Sequence, residues 1–199
     1  MSPITHFLAS WIVAAKTTDN PRDCRLVVLA GLAPDLDGLG LVVDVVKNRV
    51  NHTELYDYYQ IYHHSLLHGV AGAGVIAVVL AAMARQRWRV FVFALFVFHL
   101  HLLCDLVGSR GPEAGDFWPI YYFAPFSNYP MWLWRGQWKL DGWQNQLISV
   151  TLLAWSFRLA AVRGESFVGV LNRRLDAVFV STLRKWRGAL VVKWRSRAA

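Results

Sequence analysis

The stretch VFVFALFVFHLHLLCDLV, residues 90–107, has almost the length of a membrane span but carries polar side chains in its second half. A spanning helix needs about 20 predominantly apolar residues, and an Asp at its centre costs roughly 2.5 to 3.5 kcal/mol. His101 and Asp105 are four residues apart and share one helix face, whereas His99 lies off that face. We expect His99 to bond a backbone carbonyl in the core, and the other two side chains to belong to a buried polar site.

Further apolar segments in the sequence predict that the whole chain is an all-α membrane protein. Hydrophobic residues make up 55% of the sequence, and charged residues make up 17%, below the roughly 25% of soluble proteins. Ser2 and Pro3 supply an N-cap and a first-turn proline for a helix that ends near Lys16. The pattern predicts a helical membrane bundle of about four to five apolar segments within residues 1–162.

The C-terminal part, residues 163–199, is basic and amphipathic. The net charge of +8 comes mainly from this end, and apolar positions from Val168 to Leu183 recur at helical spacing. Such a pattern predicts an amphipathic C-terminal helix that lies on an anionic membrane face. We therefore expect membrane lipids as partners and no nucleic acid.

Three more clusters of His and Asp interrupt the apolar segments. They are His6, the pair Asp35 and Asp37 in APDLDG, and the group His63, His64 and His68 in YHHSLLHG. Such groups are costly among apolar residues unless a common cation binds them. Imidazole with carboxylate suits zinc, with manganese or iron as alternatives. The candidate metal ligands are His6, Asp35, Asp37, His63, His68, His101 and Asp105.

Basic turns indicate that the clusters meet at one end of the bundle. Positive residues favour the cytoplasmic side, and they occur near residues 16–25, at residues 85–89 and in the tail. If these three regions share one face, every cluster lies at the opposite segment ends. The topology then predicts one site on the non-cytoplasmic side. Because Asp35 and Asp37 bracket a single residue in a turn, we expect both to aim at one ion.

Five short motifs occur in a fixed order along about residues 1–125. They are Thr5-His6, Pro34-Asp35-Leu36-Asp37, His63 with His68-Gly69, His101 with Asp105, and Trp118-Pro119. This order resembles the YdjM-like inner-membrane family of metal-dependent hydrolases. The resemblance implies a multi-pass inner-membrane protein with a metal centre and hydrolase activity, similar in ligand style to zinc-dependent phospholipase C. Where that family commonly has an Arg after the first His, this chain has His64, a further ligand or acid/base candidate.

Three functions fit these residues. A metal-dependent hydrolase would activate water to attack a phosphoester or ester bond in a lipid or lipid-linked substrate, with Asp37 and His64 as catalytic groups. A transporter or proton relay would spread its clusters in depth, and a non-catalytic adaptor would enclose a structural metal with four protein ligands. The sequence has no Gly-rich phosphate loop, G-x-S-x-G elbow or H-E-x-x-H helix. The ordered motifs favour the hydrolase.

Overall fold

Most of the part that the computed structural model describes, which is residues 1–52, 58–59, 63 and 67–198, is helical, and residues 109–142 form a loop of turns with two isolated β-bridges. These residues form two compact units, Met1–Gln146 and Leu147–Ala199. The prediction of an all-α protein is confirmed. The helices are α1 (Pro3–Thr17), α2 (Pro21–Leu32), a 3-10 helix (Pro34–Leu39), α3 (Gly40–Asn51), α4 (Val70–Met83), α5 (Arg87–Gly108), α6 (Trp143–Arg163), a second 3-10 helix (Phe167–Val170) and α7 (Arg173–Ala198).

Fewer segments have spanning length than the apolar pattern indicates. Among the described residues, α5 and α6 are long and apolar enough to cross a membrane. The segments Pro21–Leu32 and Pro34–Asn51, bent by 57° at their junction, would count as a third span if they act as one. Helices α1 and α4 have 15 and 14 residues, short of the roughly 20 that a span needs. The predicted count of four to five is therefore not reached by full-length spans.

Local capping explains where α1 begins. The Ser2 hydroxyl accepts a hydrogen bond from the Thr5 N–H at 3.3 Å, and Pro3 fills the first turn. The first backbone N–H groups of a helix have no partner within the helix. The Ser2 hydroxyl provides a partner for one of them, and Pro3 has no N–H group to satisfy. The predicted helix is confirmed with its end at Thr17. This start places His6 in the second turn of α1, where the side chain is buried.

Helix α5 is the centre of the first unit. It packs against α1, α2 and α4, and α2 also contacts α1 and α4. The approach of α1 to α2 requires a glycine, because a Cβ on Gly31 would lie 1.8 Å from the Ser10 hydroxyl oxygen. Phe98 and Leu102 of α5 form the buried core with Ala73 and Ile120. One turn further along α5 stand His101 and Asp105, so the core positions the polar site.

The two basic turns of this unit are bonded to each other. The Asp23 carboxylate accepts hydrogen bonds from the N–H groups of Arg85 and Gln86, each at 2.9 Å. This contact brings the α1–α2 turn and the α4–α5 turn together, as expected if both lie on the same face of the bundle. The side of the membrane on which that face lies stays a prediction.

Candidate metal centre

The seven candidate ligands gather into two adjacent groups. In each group the ligand atoms lie within 4.8 Å of one another. The first group consists of His6, Asp35, His101 and Asp105, and the second of Asp37, His63 and His68. The expected convergence of the four sequence clusters is thus present in the fold. His64 lies outside the described residues, so its predicted catalytic role stays a prediction.

His101 is oriented by the backbone of a neighbouring helix. Its Nδ1 lies 2.8 Å from the carbonyl oxygen of Gly31, which assigns the proton to Nδ1. Nε2 then faces Asp105 Oδ2 at 2.9 Å and Asp35 Oδ1 at 3.6 Å. A backbone carbonyl that fixes the tautomer in this way is a common outer partner of metal-binding histidines.

His6 approaches the same carboxylate from α1. Its Nε2 lies 3.1 Å from Asp105 Oδ1, and its ring stacks on His101 with the centroids 3.7 Å apart. Burial is the largest influence on the pKa of His6 and lowers it. Burial thus favours the neutral form of the imidazole, which is the form that binds a metal. Asp105 Oδ1 also accepts from the Ser109 hydroxyl and from the amino group of Met1.

His68 connects the two groups through its two ring nitrogens. Nδ1 lies 2.8 Å from Asp37 Oδ2. Nε2 points the other way, 3.3 Å from His101 Nε2 and 3.5 Å from Asp105 Oδ2. A carboxylate on one nitrogen, with the other nitrogen facing further ligands, is the carboxylate–histidine arrangement of many zinc sites. His68 can therefore serve the first group while Asp37 holds it in place.

The charge state of His68 reflects these carboxylates. Burial has the largest effect and lowers the pKa, but hydrogen bonds to Asp105 and Asp37 together outweigh it and raise the pKa of His68 to about 9. The neighbouring carboxylates therefore favour positive charge at this position, from a proton or from a bound cation that replaces it.

The two carboxylates of the APDLDG turn separate, contrary to the expectation that both aim at one ion. Asp35 belongs to the first group, while Asp37 contacts His63 Nδ1 at 2.9 Å and the Leu67 N–H at 3.2 Å, in addition to His68. The turn is a 3-10 helix, Pro34–Leu39. With three residues per turn, side chains two positions apart point in different directions. The expectation of a shared ion for both carboxylates is wrong for that reason.

A cavity of about 310 Å³ opens beside the first group. Asp35 and Asp105 of the first group line it, together with His63, Tyr59 and Trp118. The Tyr59 ring stacks on His63 at 4.7 Å, and the Trp118 ring meets His63 edge-on at 5.4 Å. Sequence reasoning identified Trp118 only as part of a motif, because its contact with His63 joins distant parts of the chain. It missed Tyr59, although Tyr59 lies only four residues before His63.

His99 is separate from both groups, as expected. One ring nitrogen lies 2.7 Å from the Leu95 carbonyl oxygen, and the other lies 2.8 Å from the Tyr122 hydroxyl. Both polar atoms are therefore satisfied within the protein. The expected bond from His99 to a backbone carbonyl is present, although the ring is only half-buried.

The donor set of the first group fits a divalent cation. Neutral imidazole nitrogens and carboxylate oxygens are ligands for zinc, manganese and iron. Asp35 Oδ2 is buried and has no hydrogen-bond partner. Buried polar atoms are nearly always paired, so a bare carboxylate oxygen among imidazoles indicates room for a ligand that accepts its lone pair.

A family model described as YdjM inner membrane protein matches residues 1–172. The chain belongs to the YdjM family. The match extends past residue 125, where the sequence motifs end. No curated protein and no solved structure matches the chain. Family membership together with the apolar helices α5 and α6 makes this chain a membrane protein.

Proposed function

We propose that this YdjM family member is a metal-dependent hydrolase that cleaves a phosphoester or ester bond in a lipid or lipid-linked substrate. The observation that carries the proposal is a set of four candidate ligands within 4.8 Å, three of them buried, with a cavity against two of the four. A divalent cation, zinc in preference to manganese or iron, would lower the pKa of bound water to near neutrality. The residues that would hold it are His6, Asp35, His68, His101 and Asp105.

Asp35 is the best placed proton acceptor for the attacking water. It lines the cavity and its side chain is 22% exposed, so one of its oxygens would bind the cation while the other accepts the proton. The sequence favoured Asp37 for this role. Both oxygens of Asp37, however, already accept from His63, His68 and Leu67. In this proposal Asp37 positions histidines, and Asp35 takes the proton.

His63 is placed to return a proton to the leaving group. It lines the cavity, and its Nδ1 contacts Asp37 Oδ1 at 2.9 Å. A carboxylate that bonds one ring nitrogen orients the ring and fixes its tautomer. The stacked Tyr59 and the edge of Trp118 hold the ring further in place.

The gathered geometry supports the hydrolase over the two alternatives. A transporter or proton relay needs groups spread along a path, whereas each group here is confined within 4.8 Å. A structural metal in an adaptor needs a closed ligand shell, whereas the cavity reaches Asp35 and Asp105. Substrate and water therefore have a route to the ligands.

Metal content and hydrolysis, measured on the same samples, test the proposal. The protein is purified in detergent as wild type, Asp35→Ala, His101→Ala and, as a matched control, His52→Ala, whose side chain is exposed. We expect about one equivalent of a transition metal in the wild type and in the control, and a loss of at least about tenfold in the other two variants. Cleavage of phosphodiester and ester lipid analogues should follow the metal content.

Two results would contradict the proposal. One is wild-type protein that stays free of metal after incubation with zinc, manganese and iron(II). The other is unchanged metal content in Asp35→Ala and His101→Ala, with circular dichroism that shows all samples folded. Metal binding without any cleavage would favour the adaptor.

A further inference from the structure

Helix α7 carries an apolar stripe that its own unit does not cover. Leu175, Val178 and Trp186 are 61%, 65% and 65% exposed, and Leu171, just before the helix, is 83% exposed. The spacings of four, three and eight residues place these side chains on one helix face. The family match ends at residue 172, so the helix lies beyond the region that family membership describes.

The packed face of α7 is a different one. Val180 and Leu183 are buried, and Phe179 contacts the rings of Phe157 and Phe167. Asp176 is buried and accepts hydrogen bonds from the N–H and the hydroxyl of Ser166. These contacts fix the rotation of the helix within its unit. The exposed stripe is therefore a stable feature of the surface.

The charges beside the stripe are all positive. Arg174 and Lys185 flank it, and Arg173 and Arg187 are also exposed. From residue 173 to residue 198 the sequence has one acidic residue, Asp176, which is the buried one bonded to Ser166. The exposed apolar stripe thus stands next to a purely cationic surface, and a partner that complements both must be apolar and anionic.

The position of α7 in the chain identifies that partner. Arg173 follows Arg163, the last residue of the candidate span α6, by ten residues. Arg184 Nε of α7 also donates to the Ala161 carbonyl oxygen, in the last turn of α6, at 3.0 Å, so α7 lies beside the end of that candidate span. We propose that the stripe of Leu171, Leu175, Val178 and Trp186 docks on a bilayer rich in anionic lipid, with Arg174 and Lys185 at the headgroups. This inference is independent of the hydrolase.

A pair of adjacent positions tests the docking directly. Val178 is on the stripe, and Ala177 is exposed on the polar face. Full-length Val178→Cys and Ala177→Cys, each with Cys24 and Cys104 replaced by Ser, are labelled with an environment-sensitive fluorophore. Both are reconstituted into vesicles of phosphatidylcholine alone or with about one-third phosphatidylglycerol. We expect quenching by lipid-borne nitroxide to be at least about twofold stronger at position 178, in the anionic vesicles only.

The contribution of charge is tested in the same vesicles. Arg174→Gln with Lys185→Gln should reduce the quenching at position 178 by at least about twofold, and salt at about 1 M should do the same. Arg135→Gln with Lys139→Gln removes the same charge from exposed positions elsewhere and should leave the quenching unchanged. Equal quenching at positions 177 and 178, or equal quenching in neutral and anionic vesicles, would overturn the inference. So would protection of position 178 without lipid quenching, because another protein surface would then cover the stripe.

Discussion

Buried carboxylates occur in two settings in this chain, and the settings differ in their partners. In the first setting a carboxylate receives backbone N–H groups. Asp23 accepts from Arg85 and Gln86, and Asp44 of α3 accepts from Tyr58 and Tyr59 at 3.1 and 2.7 Å. Such an acid closes a turn, and its charge is satisfied by fixed dipoles.

In the second setting, at the candidate metal centre, carboxylates face imidazoles. Asp105 lies against His6 and His101, and Asp37 lies against His63 and His68. Asp35 keeps a buried oxygen without a partner. Burial alone therefore does not indicate a metal ligand, since Asp23 is as buried as Asp105. The type of partner separates a capping acid from a ligand.

We expect Asp105→Asn to have the largest effect on metal affinity. The amide keeps the size of the side chain but removes the charge that faces two imidazoles. We expect metal affinity to fall by more than about 100-fold, beyond the 10- to 100-fold that is typical of outer partners. Titration of the metal-free protein with zinc, followed by competition with a chelator, measures this change. An unchanged metal affinity would mean that Asp105, like Asp23 and Asp44, does not bind the metal.

A smaller loss is expected for Asp37→Asn. The variant weakens the contact that orients His68 Nδ1 but leaves the first group intact. Metal affinity should fall by about 10- to 100-fold, as for other outer carboxylates. The same titration applies. A loss as large as that of Asp105→Asn would indicate that Asp37 binds the metal itself.

The capping acid Asp23 should show the opposite pattern. Asp23→Asn weakens two hydrogen bonds to the turn at Arg85 and Gln86, at the end of the unit away from the ligands. We expect the free energy of unfolding to fall by about 1 to 3 kcal/mol, with unchanged metal affinity. Denaturant unfolding of the zinc-free protein in detergent measures the first quantity. A change in metal affinity would show that the type of partner does not separate capping acids from metal ligands.

The smallest effect is expected for His99→Gln, two residues from His101 on the same helix. His99 bonds Leu95 and Tyr122 rather than a carboxylate. Metal affinity should change by less than about twofold, while stability falls by about 1 kcal/mol. A large loss of metal affinity would show that the position of a histidine on α5, rather than the type of its hydrogen-bond partner, determines whether it binds the metal.

Local rules predicted the parts of the structure that depend on neighbours in sequence. The Ser2 cap follows from residues within one turn, and the shared face of His101 and Asp105 follows from helical spacing. The meeting of the four clusters followed from the basic turns, and the bond from Asp23 to Arg85 brings those turns together. Each of these inferences needed only spacing and charge.

Features that depend on distant partners could not be predicted. Asp44 caps residues that lie 14 and 15 positions away, and no spacing in the sequence indicates this contact. The separation of Asp35 from Asp37 depends on the turn being a 3-10 helix, whereas the sequence indicated only a turn. Likewise, apolar composition indicated α4 as a segment but not its length.

X-ray absorption spectroscopy of the zinc-loaded, detergent-purified protein tests the central claim most directly. The account predicts only nitrogen and oxygen ligands at about 2.0 to 2.2 Å, with the outer-shell scattering of at least two imidazoles. That scattering should decrease in His101→Ala and remain in His99→Gln. A spectrum of zinc with water ligands alone, or one that is the same in both variants, would contradict the account.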